Sequence, residues 1–387
     1  MIELRTTEYR PNTVSAPGET LLDLLDERGL SQAELARRLD RPIKTVNEIV
    51  KGKAAIVPET ALQLEQALGV PAEFWLTREA RYREWIARRE ADEELRQQVP
   101  WLRDLPLKEM RAFNWIASGT TRAETVRACL SFFGVASVEA WRATYERPLA
   151  AFRASSKVKK QPGAVAAWLR QGEREAAGIN CEPFDADKFR EALGAIRALT
   201  CEPNPGKFVP GLRDLCKECG VAVVFVPAPK GCPASGATKW LSAEKALILL
   251  SLPYKTNDQL WFTFFHEAAH ILLHGKSLVF VEDFGAVGGD DEKEREANQF
   301  ARDFLIPKGL SERLVDLRIT HDAVRDFAKD AGIAPGIVVG RLQREKLAPW
   351  THLNDLKVRF RARARGPGPA RRGRSPAGRM PRAGPAA

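Results

Sequence analysis

The sequence predicts a multidomain, mainly α protein: an all-α N-terminal domain, a helical middle region, and an α+β domain with a small sheet. Three observations predict it. Apolar residues recur at helical spacing in short runs between Leu21 and Leu68, each run broken by Gly or Pro. From about residue 72 to 205 the same spacing continues in segments that carry most of the tryptophans. Then the pattern changes. LRDLCKECG reads as a helix that Gly220 ends before a strand, VAVVFV, and WFTFFHEAAHILLHG reads as a helix apolar nearly all round. The boundaries drawn from these changes are 1–90, 91–205, 206–350 and a basic tail over 351–387.

In the N-terminal part, Leu21, Leu22, Leu24 and Leu25 pattern a first helix that Gly29 ends. Ser31 caps a second, SQAELARRL, with Glu34 three residues on as a capping box. A break at Asp40-Arg41-Pro42 precedes IKTVNEIVKGK, where Val46, Ile49 and Val50 face inward and Lys44, Asn47, Glu48, Lys51 and Lys53 face out. Two short helices with a tight turn between them describe a helix-turn-helix, whose second helix enters the DNA major groove. Lys44 and Asn47 are then placed for base edges, and Gln32, Lys51 and Lys53 for phosphates. A helical protein–protein module is the plainer reading. A further helix, PETALQLEQALGV, begins with Pro58 at a favoured first position.

These segments resemble the Cro/C1-type helix-turn-helix, and PETALQLEQALGVPAEFWLTREARY resembles the HigA-type antitoxins, which are repressors of toxin–antitoxin operons. The resemblance implies a double-stranded DNA operator as partner, read by a homodimer through two half-sites about one turn apart.

The middle region is helical in pattern through AEFWLTREARYREWIARREADEEL, PLKEMRAFNWIA, TRAETVRACLSFFG, VEAWRATYE and PGAVAAWLRQGERE. Seven of the nine tryptophans fall between Trp75 and Trp240, and at helical spacing they are core residues. Lys157, Lys159 and Lys160 form a short basic loop.

Three of only five histidines lie within nine positions, at His266, His270 and His274. Two imidazoles at i and i+4 share one helical face, about 5–6 Å apart at Cβ. Buried rings need partners, and one divalent metal serves both. Glu267 makes the string H-E-x-x-H, the zinc-protease pattern in which the glutamate is the general base. Chance yields it in roughly one such chain in two hundred, which makes the signal specific. Two satisfied core histidines beside a stray glutamate is the plainer alternative.

A catalytic zinc needs a third protein ligand and an open position. EKEREANQFARDFLIP offers carboxylates on a second helix, whose apolar stripe is Ala297, Phe300, Ala301, Phe304 and Leu305. At about 100° per residue, Glu294 falls roughly 50° from the centre of that stripe and Glu296 roughly 110° away. Glu294 is therefore the inward carboxylate, with Glu296 behind it. Glu292 and Glu296 read as solvated charges near a helix start. His274, beside the helix-ending Gly275, is a C-terminal helix residue that supports the site at most.

From about Pro210 to Pro307 the chain resembles the ImmA/IrrE family of metallopeptidases, on GVAVVFVPAP, ASGATKWL, KALILLS, FTFFHEAAHILLHG and E-x-x-A-N-x-F-A-x-x-x-L-x-P. The resemblance implies a zincin-like α+β domain, zinc held by His266, His270 and Glu294, and Glu267 as general base. It also implies an activity that cleaves DNA-bound repressors, or provokes their cleavage.

Composition narrows the setting. Glu3 and Arg5 interrupt any N-terminal apolar run, and no stretch approaches the ~20 apolar residues of a membrane span. Cys216 and Cys219 form the one C-x-x-C and read as ordinary thiols, so the cytoplasm is the expected compartment. The net charge of +10 belongs to the end of the chain. Lys357 to Ala387 holds ten Lys or Arg and no acid, which leaves 50 basic against 50 acidic residues before it. Such an Arg-, Pro- and Gly-rich tail cannot bury a core; it reads either as a source of sequence-independent attraction to DNA phosphates or as a solvated extension with no role. After Pro307, helical stretches run around ITHDAVRDFAKDAG, capped by His321, and PGIVVGRLQREK.

The combined expectation is a cytoplasmic DNA-binding regulator with a zinc-dependent metallopeptidase domain, acting on a repressor or antitoxin-type partner or on itself. Lys239 is a guess for the oxyanion stabiliser. The rival expectation is a non-enzymatic HigA-like antitoxin or repressor whose metal site is structural or sensory.

Overall fold

The computed structural model describes residues 13–118, 121–147, 161–251, 256–275, 280–283 and 292–360. The basic loop at Lys157, Lys159 and Lys160 and the tail from Arg361 lie outside them. The protein is multidomain and mainly helical, with one small sheet. It divides into two compact units. One takes the described residues up to Leu102 with Ala117–Ser131, the other Arg103–Ile116 and the described residues from Phe132 onward.

The first unit contains α1 (Pro17–Glu27), α2 (Gln32–Arg38), α3 (Ile43–Val50), α4 (Pro58–Leu68) and α5 (Ala72–Gln97). Leu21, Leu25, Leu35, Val46, Ile49, Leu64 and Trp75 share its core. Ser31 caps α2 by accepting from the Glu34 amide at 3.1 Å. The Glu34 carboxylate turns forward to Arg37 and Arg38 rather than back to Ser31, so half of the expected capping box is replaced by ion pairs. Asp40, at φ +52°, makes the turn into α3, a backbone state that Asp tolerates better than most residues. Gly18 is required by close approach, since a Cβ there would lie 2.3 Å from the Val50 carbonyl oxygen. Buried Glu79 of α5 accepts from the Ile56 amide at 3.1 Å and from Arg83 at 2.7 Å, holding the α3–α4 connection. The boundary drawn at residue 90 therefore falls inside α5, one continuous helix.

The second unit is built on strands β1 (Val221–Phe225), β2 (Ala234–Ser242), β3 (Lys245–Leu250) and β4 (Phe280–Asp283), in the order β1-β3-β2-β4. β1 runs parallel to β3, while β2 is antiparallel to both β3 and β4. Helix α6 (Pro162–Ala177) covers one face. Its Trp168 Nε1 donates to the Val226 carbonyl at 3.0 Å, and Gly172 leaves room for Leu249. Helix α9 (Asn257–Leu273) covers the other face, its Phe264 and Phe265 sharing a core with Ile248 and Leu250 of β3.

Around them pack α7 (Ala186–Ala198), α8 (Pro205–Lys217), α10 (Glu292–Leu305), α11 (His321–Ala331) and α12 (Pro335–Arg344). The connecting region drawn over 91–205 does not stand apart, because α6 and α7 bury their apolar faces in this unit. Arg197 of α7 donates to the Leu305 carbonyl at 2.8 Å and the Ala331 carbonyl at 2.6 Å, so one guanidinium satisfies the ends of α10 and α11.

Residues 351–360, expected as the start of the tail, are also part of this unit. The Asn257 amide donates to the Val358 carbonyl at 2.8 Å, Lys357 pairs with Asp258 at 2.7 Å, and Phe360 is buried beside Phe208. Thr320, not His321, caps α11, and His321 instead pairs with Asp355 at 2.8 Å. Trp75, Trp101, Trp115, Trp141 and Trp168 are buried, whereas Trp85 and Trp240 are half-buried. Cys216 and Cys219 are buried free thiols, and burial pushes the Cys216 thiol well up. No helix among the described residues is long and apolar enough to cross a membrane.

Candidate metal centre and helix-turn-helix surface

Helix α9 starts at a capping box made by Thr256 and Gln259 and stays buried along most of its length. It carries His266 and His270 on one face, each with about 1 % of its surface exposed. Their Nε2 atoms lie 3.0 Å apart. Glu294, in the first turn of α10, brings Oε2 to 3.3 Å from His266 Nε2 and Oε1 to 3.5 Å from His270 Nε2. Atoms of these three residues all fall within 4.8 Å of one another, an arrangement that could hold a metal ion.

The other ring nitrogens explain why both Nε2 atoms converge. His266 Nδ1 is 3.2 Å from Asn298 Oδ1, and an amide oxygen only accepts, so His266 donates from Nδ1. His270 Nδ1 is 2.8 Å from His274 Nδ1. Burial first, then the neighbouring His266 and His274, push the His270 imidazole down to about 2, so it stays neutral. Neutral imidazole is the metal-binding form.

That depression has a consequence for the metal-free protein. Below about pH 6.5 the unfolded chain takes a proton that the folded His270 refuses. Stability should be unaffected above that pH and fall by at most about 1.4 kcal/mol per unit below it. Urea unfolding of chelator-stripped protein at pH 7.5, 6.5 and 5.5 measures this. A midpoint that rises on acidification contradicts it.

Glu267, one position after His266, is completely buried and faces β2. Its Oε2 accepts from Thr238 Oγ1 at 2.6 Å. Gly236, two residues earlier on the same face of β2, leaves the space, since a Cβ there would stand 2.6 Å from Glu267 Oε1. Lys239 points the other way, as alternation along a strand requires. It pairs with Glu173 on α6, so its expected oxyanion role is corrected: the side chain lies on the opposite face of the sheet. Glu296 contacts His274 Nε2 at 2.9 Å rather than standing as a free solvated charge.

Asn298, Thr238 and Gly236 went unassigned in the sequence. Periodicity within one element puts each on a functional face but does not name its partner. Asn298 is four residues beyond Glu294 on one helical face. Gly236 and Thr238 share one strand face.

In the first unit, α2 and α3 with their turn at Asp40 form the helix-turn-helix. Lys44 is strongly exposed near the start of α3, with Glu48 3.9 Å away. Asn47 is half-exposed on the same helix, Lys51 and Lys53 are exposed just beyond its end, and Gln32 is half-buried at the start of α2.

Residues 21–75 match the helix-turn-helix family, and residues 219–342 match the IrrE N-terminal-like domain, a peptidase family. Over 60 residues the chain is 35 % identical to an uncharacterized HTH-type transcriptional regulator, YddM, of Escherichia coli (strain K12), covering 16 % of this chain and 64 % of that protein. It is 44 % identical over 59 residues to virulence-associated protein A of Dichelobacter nodosus, covering 15 % and 58 %. The chain thus spans about three fifths of the length of these curated relatives.

Among solved structures, an addiction module antidote protein of a HigA family from Coxiella burnetii is 29 % identical, covering 22 % of this chain and 92 % of that one, with a TM-score of 0.20. PA4674 of Pseudomonas aeruginosa, solved in complex with its operator DNA, is 31 % identical, covering 21 % and 91 %, with a TM-score of 0.21. One polypeptide thus combines a segment that matches the helix-turn-helix family, residues 21–75, with one that matches the IrrE N-terminal-like domain, residues 219–342.

Proposed function

We propose that the chain is a DNA-binding transcriptional regulator with a zinc-dependent metallopeptidase site, hydrolysing a peptide bond in a DNA-bound repressor or antitoxin-type partner or in itself. The observation that carries this reading is the convergence of two buried imidazoles and a carboxylate, with Glu267 next to the first of them in sequence. The donor set fits zinc. Ligands bonded at 2.0–2.1 Å to a tetrahedral zinc stand about 3.3 Å from one another. The separations here are 3.0, 3.3 and 3.5 Å. Three protein ligands also leave one position for water or substrate, the pattern of catalytic sites.

When bound, zinc supplies Lewis acidity and lowers the pKa of a water toward ~7. The chain's own residues do the rest. Glu267 takes a proton from the attacking water on a carboxylate oxygen and passes it to the leaving amine. Thr238 holds that carboxylate by its 2.6 Å hydrogen bond, and the burial of α9 keeps bulk water away. A HigA-like repressor with a structural or sensory metal is the second reading. The complete burial of Glu267 favours it, because a general base must meet its substrate.

Lys44, Asn47, Lys51 and Lys53, exposed or half-exposed together, support the regulatory half: α3 enters the major groove and the lysines beyond it meet phosphates. Two copies would read an inverted repeat. Purified protein should carry about one zinc and footprint its own promoter. Lys53→Ala should weaken binding to all sequences alike and reduce the salt slope by about 1, whereas Lys44→Ala should relax sequence preference. A full-length chain with no salt-sensitive DNA binding would make the first unit a protein–protein module instead.

A further inference from the structure

We propose that His274 and Glu296 are positioning residues of the metal centre: they hold His270 with its proton on Nδ1 and its lone pair on Nε2, aimed at the point shared with His266 and Glu294. The inference rests on the reading of that group as a metal site.

The contacts run in series. His270 Nδ1 lies 2.8 Å from His274 Nδ1, and His274 Nε2 lies 2.9 Å from Glu296 Oε2. An ionised carboxylate only accepts, so His274 donates from Nε2. In the arrangement proposed, His274 accepts on Nδ1 and His270 donates from its own Nδ1. The contacts run from the surface inward: Glu296 orients His274, and His274 orients His270. A proton on His270 Nε2 would instead point at the shared position and exclude a cation.

The local fold delivers this geometry. His270 and His274 are one turn apart on one face of α9. His274 is the C-cap just past Leu273, and Gly275, at φ +76°, carries the chain away in a backbone state that a side chain would strain. The His274 side chain is left 2 % exposed, packed over His270, while Glu296 reaches it from the exposed side of α10. Asn298 serves His266 in the same way, but through an amide oxygen. Behind His270 stands an imidazole that itself contacts a carboxylate, and partners of this kind orient a ligating histidine.

The test measures zinc affinity of the full-length protein by competition with a chromogenic chelator, beside urea unfolding of the metal-free form. His274→Ala should weaken zinc binding about 10–100-fold. His274→Asn, whose Oδ1 can accept from His270 Nδ1, should keep most of the affinity. Glu296→Ala, at an exposed position, should weaken zinc about 10-fold while the metal-free unfolding midpoint stays unchanged. Zinc affinity within twofold of wild type in both alanine variants would overturn the proposal. So would equal losses in His274→Ala and His274→Asn, which would mean that the ring only fills space. A wild-type chain that takes up no zinc would remove the metal reading and the relay with it.

Discussion

Glu267→Gln should leave zinc content and DNA binding unchanged and lower peptide hydrolysis by about 10²–10⁴-fold, the usual worth of a positioned general base. The substitution keeps size and shape, and the amide oxygen can still accept from Thr238 Oγ1, as the carboxylate does at 2.6 Å. What it removes is the capacity to take a proton. A purely structural or sensory metal has no use for that capacity. An immunoblot of the partner repressor and of the chain itself, beside operator-driven reporter output under inducing conditions, separates the cases. Intact induction in Glu267→Gln, together with lost induction in His266→Ala, would mean that the site senses and does not hydrolyse.

His266→Ala and His270→Ala should each take bound zinc from about one per chain to near none. Each removes one of three protein ligands and leaves a buried imidazole facing an empty corner. Glu294→Ala should do the same, because both of its carboxylate oxygens lie within 3.5 Å of a histidine Nε2. Glu296→Ala should weaken the site without emptying it, since its contact is with His274. Elemental analysis after gel filtration reads the outcome. Zinc retained in Glu294→Ala but lost in Glu296→Ala would reverse their assignment.

Much of this site was legible because it is built from local spacing. H-E-x-x-H puts two imidazoles on one face of α9 whatever surrounds the helix. The apolar stripe of α10, with Ala297, Ala301 and Leu305 buried, turned Glu294 inward, and Glu294 is the carboxylate found at the two histidines. The partners of the partners were harder. Thr238 is 29 residues from Glu267 and Asn298 is 32 from His266, and no periodicity within one element joins either pair. Lys239 shows the cost of guessing across elements, since one position along β2 reverses the face.

Where the helices of residues 91–205 pack is likewise set by partners far away in the chain. Composition marked where residues 91–205 begin and end, but not which surface their apolar faces would meet. Gly172 accommodates Leu249 and Trp168 reaches Val226 only because α6 lies on the sheet. Lys357 opens the basic run in the sequence, yet in the fold it donates to Asp258 and Gln343 at 2.7 and 2.8 Å.

By itself the sequence determined the helices, the turn at Asp40, the helix-turn-helix, the H-E-x-x-H pair and the phase that favours Glu294. All of these follow from neighbours within one or two turns. Only the tertiary structure decided that both imidazoles aim Nε2 at one point, that Thr238 holds Glu267, and that His274 leans on Glu296. Hydrogen-bond partners far apart in the chain are chosen by packing, and no local pattern encodes them.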